Sequence, residues 1–142
     1  MSGFLVDADV LSEPQRARPT ANVLDWLREH EEQLYTSAIV VGELAWGIER
    51  LADGNKRRAL ARWLDQEVLP TMEGRILSFD TRVGLEWGKL QGRLEAAGRR
   101  MPWRDSAVAA TARRHGLTLV TRNTKDYQSA ALELVNPFST PA

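Results

Sequence analysis

The stretch from Asp105 to Asp126 constrains the fold of this chain more than any other. It begins with D-S-A-V-A-A-T-A-R-R-H-G, an Ala-rich segment that predicts a helix ending at His115, because glycine is the residue that most often follows a helix end. The next residues, Leu117 to Thr121, form a short apolar run with β-branched side chains, which indicates a buried strand. A helix followed directly by a buried strand is typical of an α/β fold with a parallel sheet.

Two carboxylates flank this helix-strand unit. Asp105 stands three residues after Pro102, at the head of the predicted helix, and Asp126 lies just beyond the predicted strand. In a parallel sheet, the N-termini of helices and the carboxyl ends of strands open on the same edge, where such sheets bind ligands. We therefore expect these two carboxylates to face one pocket.

Two further acids occur in comparable positions. Asp7 follows the apolar run Phe4-Leu5-Val6, which predicts a strand that delivers this carboxylate at its carboxyl end. Glu43 interrupts the otherwise apolar helix predicted over 38–51 and lies at the border of its apolar stripe. From the pattern alone, an ordinary exposed glutamate is the simpler interpretation of that border position. The convergence of four acids on comparable positions favours a shared pocket.

Helices alternate with short strands along the rest of the chain. The remaining predicted helices are 21–30, 56–68 and 83–94, and the remaining predicted strands are 34–36, 75–79 and 132–135. Asp80 ends one of these strands and is interpreted as a helix N-cap instead of a site residue. A length of 142 residues suits one domain, 1–142, with a single core.

Composition excludes some classes of site and protein. The 19 basic and 19 acidic residues cancel, so net charge neither favours nor excludes a nucleic-acid partner. The absence of cysteine excludes disulfides and thiolate zinc sites and suggests a reducing compartment. No apolar run approaches the roughly 18 residues of a membrane span, and the N-terminus has no basic region before its apolar stretch. We expect a cytoplasmic protein without a membrane partner.

The chemistry follows from what several carboxylates in one pocket require. Without a cation they would repel one another, and a divalent ion removes that penalty. Oxygen-only ligands favour Mg²⁺, with Mn²⁺ as a substitute, over zinc. His30 and His115 fall at predicted helix C-termini and are interpreted as end residues. The predicted reaction class is metal-dependent phosphodiester hydrolysis.

Three segments together resemble the PIN-domain ribonucleases, in particular the VapC-like toxins of toxin-antitoxin pairs. The matching segments are L-V-D-A-D-V-L-S-E, then T-S-A-I-V-V-G-E-L-A-W-G-I, then M-P-W-R-D-S-A-V-A-A-T-A-R-R-H-G-L-T-L-V-T-R-N-T-K-D-Y with L-V-N-P after it. They run from residue 5 to residue 137 in the family's order. The resemblance implies a three-layer α/β sandwich with a central, mostly parallel sheet, and endoribonuclease activity with tRNA or rRNA as the substrate.

The resemblance also implies roles for individual residues. The catalytic and metal-binding set is expected to be Asp7, Glu43, Asp105 and Asp126. Thr121 and Asn123 are expected to hold water or a carboxylate by hydrogen bonds, and Arg122 to meet phosphate. Many family members have a polar pair such as Thr-Asn after the first aspartate, where this chain has Ala8-Asp9. Asp9 is therefore an additional ligand or a neighbour of the ligands.

The partner expected from the resemblance is a VapB-like antitoxin, which would insert an arginine or lysine near the acids. The helices carrying Trp46 and Trp63 are candidates for its apolar anchor, since exposed tryptophans often centre interfaces. The alternative is that both tryptophans are ordinary core residues. A homodimer or an antitoxin-bound hetero-oligomer is also expected, with the long helix 83–94 as the contact.

Two other functions remain open from the residues alone. The D-A-D segment after a strand is also typical of haloacid dehalogenase-like phosphatases, in which Asp7 would be the nucleophile and Asp9 the acid/base. Alternatively, the acids are structural and the chain is a non-catalytic module that binds RNA or a partner. Cleavage of RNA by the pure protein would exclude the second function.

Overall fold

Five parallel strands form the centre of the molecule. In the computed structural model, which describes residues 2–139, the strands are β1 (Phe4–Val6), β2 (Leu34–Ser37), β3 (Ile76–Leu77), β4 (Thr118–Val120) and β5 (Leu134–Val135). Their order across the sheet is β3-β2-β1-β4-β5, and all four neighbouring pairs are parallel. The expected α/β class is confirmed. The outer strands are shorter than the sequence predicts.

Within residues 2–139, seven α-helices and several short helical turns connect the strands. The α-helices are α1 (Ala8–Leu11), α2 (Ala21–Glu29), α3 (Ala38–Glu49), α4 (Asn55–Trp63), α5 (Leu69–Thr71), α6 (Thr81–Ala96) and α7 (Trp103–His115). A π-helical segment, Leu64–Val68, joins α4 to α5, and 3-10 helices occupy Glu13–Gln15, Glu31–Gln33 and Thr124–Ala130. The patterns did not predict α1 or the last 3-10 helix, and both of these position site residues.

Two apolar cores lie on opposite faces of the sheet. Leu5 pairs with Leu119 across β1 and β4, and Val6 pairs with Val120. Successive side chains of a strand point to opposite faces, and accordingly Leu5 and Leu119 belong to one buried cluster while Val6 and Val120 belong to the other. Side chains of α3, α6 and α7 complete the first cluster, and side chains of α2 and α4 complete the second. The result is three layers, helix-sheet-helix.

Local signals in the sequence account for several helix ends. Asp80 caps α6, because its Oδ1 accepts from the Val83 N–H at 3.0 Å, which confirms the predicted N-cap. Ser37 caps α3 by accepting from the Val40 N–H at 3.1 Å. Gly116 follows α7 with φ at 65°, a left-handed conformation that glycine adopts without steric cost.

Among residues 2–139, no helix is both long enough and apolar enough to cross a membrane. Residue 1 and residues 140–142 of the single domain expected over 1–142 lie outside the described part of the chain.

Candidate active site

The site lies where the connections of the sheet change direction. From the central strand β1 the chain proceeds to β2 and β3 on one side, and β4 and β5 follow on the other side. Such a switch point opens a crevice at the carboxyl ends of the two strands between which the direction changes. Asp7 follows β1 directly and Thr121 follows β4 directly, so both residues stand at this crevice.

Asp7 is buried and held by backbone contacts. Its side chain and backbone together are 4% exposed, and its N–H donates to the Val120 carbonyl of β4 at 2.9 Å. Its Oδ1 accepts from the Ala8 N–H at 2.9 Å, which makes Asp7 the N-cap of α1. The unpredicted helix α1 therefore fixes the direction of this carboxylate.

The second oxygen of Asp7 is held by two hydroxyls. Oδ2 accepts from the Thr121 hydroxyl at 3.0 Å and from the Tyr127 hydroxyl at 3.2 Å. Thr121 Oγ1 in turn accepts from the Asn123 N–H at 3.2 Å. These contacts fasten the loop after β4 to the carboxylate at the end of β1.

Arg104 lies at the centre of the acidic residues. Its Nη2 donates to both Asp7 Oδ1 and Glu43 Oε1. Its Nη1 donates to the Tyr127 hydroxyl at 2.6 Å, and lies 3.2 Å from Asp105 Oδ1 and 3.4 Å from Asp7 Oδ2. Three carboxylates thus share one guanidinium, which leaves two negative charges uncompensated within this group.

The three carboxylates come from three separate elements and differ in exposure. Asp7 follows β1, Glu43 lies on α3 and Asp105 lies in the first turn of α7. Their side chains are 6%, 38% and 17% exposed, so the group opens to solvent on the side of Glu43. We call Asp7, Glu43 and Asp105, with Arg104 between them, the acidic cluster.

Residue patterns do not predict Arg104 and Tyr127 as site residues. Burial opposes the charge of Arg104, but the hydrogen bond to Asp7 and the charge of Asp7 outweigh it and raise the pKa of Arg104 above its usual value. Burial and the charge of Asp7 raise the pKa of Tyr127 above its usual value, so its hydroxyl stays protonated. Both residues adjoin predicted acids in the sequence, in R-D and D-Y, and that adjacency was the only available signal.

Asp9 joins α1 to the loop after β4. Its Oδ2 accepts from the Arg122 N–H at 3.0 Å and from Asn123 Nδ2 at 3.4 Å. Its Oδ1 is buried and makes no hydrogen bond within residues 2–139. Burial and the nearby charge of Asp7 raise the pKa of Asp9 above its usual value. Asp9 is therefore a neighbour of the acidic cluster, and its carboxylate binds the loop after β4.

Within residues 2–139, the side chains of the predicted site residues Asp126 and Arg122 make no hydrogen bond to the acidic cluster. Asp126 is exposed, and its carboxylate takes no part in the hydrogen bonds that join the three acids. It belongs to the 3-10 helix Thr124–Ala130, in which the next residue, Tyr127, is the one turned inward. The guanidinium of Arg122 lies over the Phe138 ring at 4.5 Å from its centroid.

The two tryptophans considered as partner anchors differ in exposure. Trp46 is 62% exposed, with the Arg50 guanidinium over its ring. Trp63 is 7% exposed and belongs to one of the two cores. Trp63 is therefore a core residue, as the alternative held, and the prediction of an exposed anchor is wrong for it, because the apolar side of α4 covers the sheet.

The donor set suits a hard divalent cation. Asp7 and Glu43 present oxygens that accept from a single nitrogen of Arg104, so these oxygens lie within two hydrogen-bond lengths of each other. Carboxylate oxygens are the ligands that Mg²⁺ and Mn²⁺ prefer. Yet no three His, Cys, Asp or Glu side chains of residues 2–139 are arranged to hold a metal ion. The guanidinium of Arg104 lies between the acids instead.

Comparison with known proteins gives a consistent family. A family model described as the PIN domain matches residues 4–131. The chain is 38% identical over 136 residues to the plasmid stability protein StbB of Pseudomonas syringae pv. tomato, a match that covers 95% of this chain and 98% of that protein. It is 35% identical over 136 residues to VapC ribonuclease Y4jK of Sinorhizobium fredii, and this match covers 95% of this chain and 97% of that protein.

A solved structure agrees with these sequence matches. The crystal structure of FitAcB from Neisseria gonorrhoeae superposes with a TM-score of 0.91 at 36% sequence identity, covering 96% of this chain and 99% of that one. The likeness therefore extends over nearly the whole fold.

Proposed function

Since this chain belongs to the PIN domain family, we propose that it is an Mg²⁺-dependent endoribonuclease and the toxin of a toxin-antitoxin pair. The observation that carries the proposal is the convergence of Asp7, Glu43 and Asp105, from three elements, on one point of the crevice. The 35% identity to a protein named VapC ribonuclease supports the reaction class.

The acidic cluster has the parts that hydrolysis of a phosphodiester requires. A divalent cation held by Asp7, Glu43 and Asp105 would supply a Lewis acid and an activated water. Asp7 is the most buried of the three, and the hydroxyls of Thr121 and Tyr127 fix its orientation. Glu43 is the most exposed and is the carboxylate best placed to orient a water at the open side.

The other predicted site residues have supporting positions in this proposal. Asp126 stands at the surface beside Tyr127, where it would act on the substrate side or through water instead of as a direct ligand. Thr121 and Asn123 maintain the loop after β4. Arg122 is exposed and would meet an RNA phosphate by leaving the Phe138 ring.

The substrate proposed is structured RNA, with tRNA or rRNA as the candidates. The cytoplasmic location expected from the sequence stays a prediction.

The phosphatase alternative is not favoured, because the Asp9 carboxylate that it requires as an acid/base is bound to the loop after β4. Mn²⁺ is expected to replace Mg²⁺, since both ions prefer oxygen ligands.

The partner proposed is an antitoxin that covers the crevice. Toxin FitB of Neisseria gonorrhoeae is 37% identical to this chain, and the structure of FitAB bound to a DNA fragment superposes with a TM-score of 0.91, which supports such a partner. A cationic side chain of such a partner is attracted to the two uncompensated charges of the acidic cluster. Because Arg104 already fills the centre, the partner's cation would bind at the rim near Glu43 or displace Arg104.

RNA cleavage by the purified protein tests this function. We expect cleavage of RNA with Mg²⁺ or Mn²⁺ and none in excess EDTA. Asp105→Asn and Glu43→Gln should each lower the rate about 100-fold or more, since even indirect metal contacts affect such sites by that order. Gel analysis of a single-stranded and a structured RNA gives the rates.

Glu49→Gln is the matched control, because Glu49 lies on the same helix as Glu43 and its side chain is 71% exposed beside Arg57. This variant should cleave at the wild-type rate. Undiminished cleavage by Asp105→Asn, or cleavage that persists in EDTA, would contradict the metal-dependent mechanism. A protein that binds RNA and never cleaves it would favour the non-catalytic module.

A further inference from the structure

Arg104 takes the position that a bound cation would need. Its two terminal nitrogens contact all three carboxylates of the acidic cluster, and Asp7 through both of its oxygens. Carboxylates gathered in a partly buried site repel one another unless a positive charge compensates them. Arg104 supplies such a charge.

We propose that Arg104 is a resident counter-ion that competes with the divalent cation, so that metal enters only when the guanidinium leaves Asp7 and Glu43. This inference rests on the proposed function, because it concerns the same site. It assigns a regulatory role to a residue of this chain and predicts weaker metal binding than the carboxylates alone would give.

The guanidinium and a cation would compete for the same oxygens. Oxygens of Asp7 and Glu43 both accept from Arg104 Nη2. Asp7 and Glu43 would hold a magnesium ion through these oxygens, and Nη2 already contacts both of them. The guanidinium of Arg104 and a divalent cation at the same oxygens would also repel each other strongly, because the site is partly buried.

The contacts of Arg104 support an exchange between its guanidinium and a cation. Its Nε is buried and has no hydrogen-bond partner in the described part of the chain, so only the acids and Tyr127 hold the group. Its side chain is 27% exposed and borders the open side at Glu43. The backbone of α7 can therefore stay in place while the side chain turns toward solvent.

Arg113, on the same helix, shows the contrast with an arginine fixed in the structure. Its Nε donates to Glu86 at 2.8 Å, and its Nη1 donates to the carbonyls of Ala130 and Ala131 at 2.9 and 3.0 Å. Both ends of that guanidinium are tied to neighbouring segments. Arg113→Gln is therefore a matched control that removes a half-buried, ion-paired arginine outside the acidic cluster.

Mn²⁺ binding measures the competition without any RNA. The decrease of the free Mn²⁺ signal in electron paramagnetic resonance gives the dissociation constant for wild type, Arg104→Gln, Arg104→Lys and Arg113→Gln. We expect Arg104→Gln to bind Mn²⁺ about tenfold or more tightly than wild type, because the competing charge is gone. Arg104→Lys should be intermediate, since one ammonium cannot replace the forked contacts, and Arg113→Gln should match wild type.

Thermal melts provide a second readout that also shows whether the variants fold. In EDTA, Arg104→Gln should melt below wild type because the three carboxylates are uncompensated, and saturating Mn²⁺ should raise its melting temperature more than that of wild type. Arg113→Gln should melt lower in both solutions without a larger response to Mn²⁺.

The outcomes separate this inference from the function on which it rests. Equal Mn²⁺ affinity for wild type and Arg104→Gln, together with metal-dependent RNA cleavage by wild type, would overturn the counter-ion role and leave the nuclease intact. Weaker binding by Arg104→Gln would also overturn it, because Arg104 would then support the metal site. No Mn²⁺ binding by either protein would overturn both the inference and the metal-dependent function.

Discussion

At the scale of single residues, Asp7 has more partners than any other acid of the site. Ala8, Thr121, Tyr127 and Arg104 all donate to its two oxygens. Each donor comes from a different part of the chain, so the carboxylate at the end of β1 links α1, the loop after β4, the last 3-10 helix and α7. Loss of one donor should therefore be measurable in both stability and activity.

Tyr127→Phe tests one of these links. The change removes the hydroxyl that lies 3.2 Å from Asp7 Oδ2, 3.3 Å from Asp105 Oδ1 and 2.6 Å from Arg104 Nη1. A hydrogen bond to a charged group contributes about 1.5–3 kcal/mol to stability, so we expect the free energy of unfolding in EDTA to fall by that amount. Urea denaturation measures the difference.

The pH range of this effect follows from the pKa of Tyr127, which is raised above its ordinary value of 10.0. The pKa of Tyr127 is higher in the folded protein than in the unfolded one. The contribution of its hydroxyl to the free energy of unfolding is therefore fully present below pH 10.0 and is lost only above it. The difference between wild type and Tyr127→Phe should therefore be equal at pH 7 and pH 9. Tyr35→Phe, at a half-buried tyrosine of β2, is the control and should change stability little.

Asp9→Asn tests the cost of a buried charge. The pKa of Asp9 is raised above 3.8 by burial and by Asp7, so the charged form is less favourable in the folded protein than in the unfolded one. The contribution of Asp9 to the free energy of unfolding is most favourable below pH 3.8. It is lost as pH rises through the pKa of Asp9 in the folded protein. We expect Asp9→Asn to unfold at higher urea than wild type at pH 7 in EDTA, with the gain shrinking toward pH 4. A variant less stable at pH 7 would show that the hydrogen bonds to Arg122 and Asn123 outweigh the charge.

At the scale of the elements, the sequence predicts the positions of carboxylates better than it predicts the contacts between side chains. Strand ends and helix starts follow from periodicity and from Gly116 and Pro102, so Asp7 and Asp105 could be assigned to one edge of the sheet. Periodicity could not show that α7 directs Arg104 into the space between them, because that direction depends on where α3 and β1 lie. Tertiary packing supplies this information.

The structure of the segment after β4 also could not be predicted from residue patterns. T-R-N-T-K-D has no periodicity that favours a helix, yet the chain forms the 3-10 helix Thr124–Ala130. That turn buries Tyr127 at 1% exposure and leaves Asp126 at the surface. Likewise α1, of four residues, is too short for a periodic signal, although its N-cap orients the central carboxylate. Short elements around a site are positioned by the contacts they make, so residue patterns cannot predict them.

At the scale of the whole molecule, the topology places the acidic cluster where the two halves of the sheet diverge. The pattern of alternating helices and strands predicted the parallel sheet correctly, since each predicted strand is present. The surface of residues 2–139 carries three large apolar side chains that are more than half exposed, and these are Trp46, Leu85 and Trp103. Exposed tryptophan is enriched at interfaces relative to the rest of a protein surface, so a second molecule is expected to cover part of this surface.

Self-association through α6 is the last prediction, and Leu85→Asp tests it. Leu85 is 64% exposed on this 16-residue helix, so a charge there would not disturb the core but would oppose burial against a second copy. We expect sedimentation velocity to show a concentration-dependent dimer of the wild type, and Leu85→Asp to raise the dimer dissociation constant about tenfold or more. Lys89→Asp, at an exposed position of the same helix, adds an acid without removing an apolar contact and should have a smaller effect. A wild type that stays monomeric at high concentration, or equal dissociation constants for wild type and Leu85→Asp, would show that α6 is not the contact.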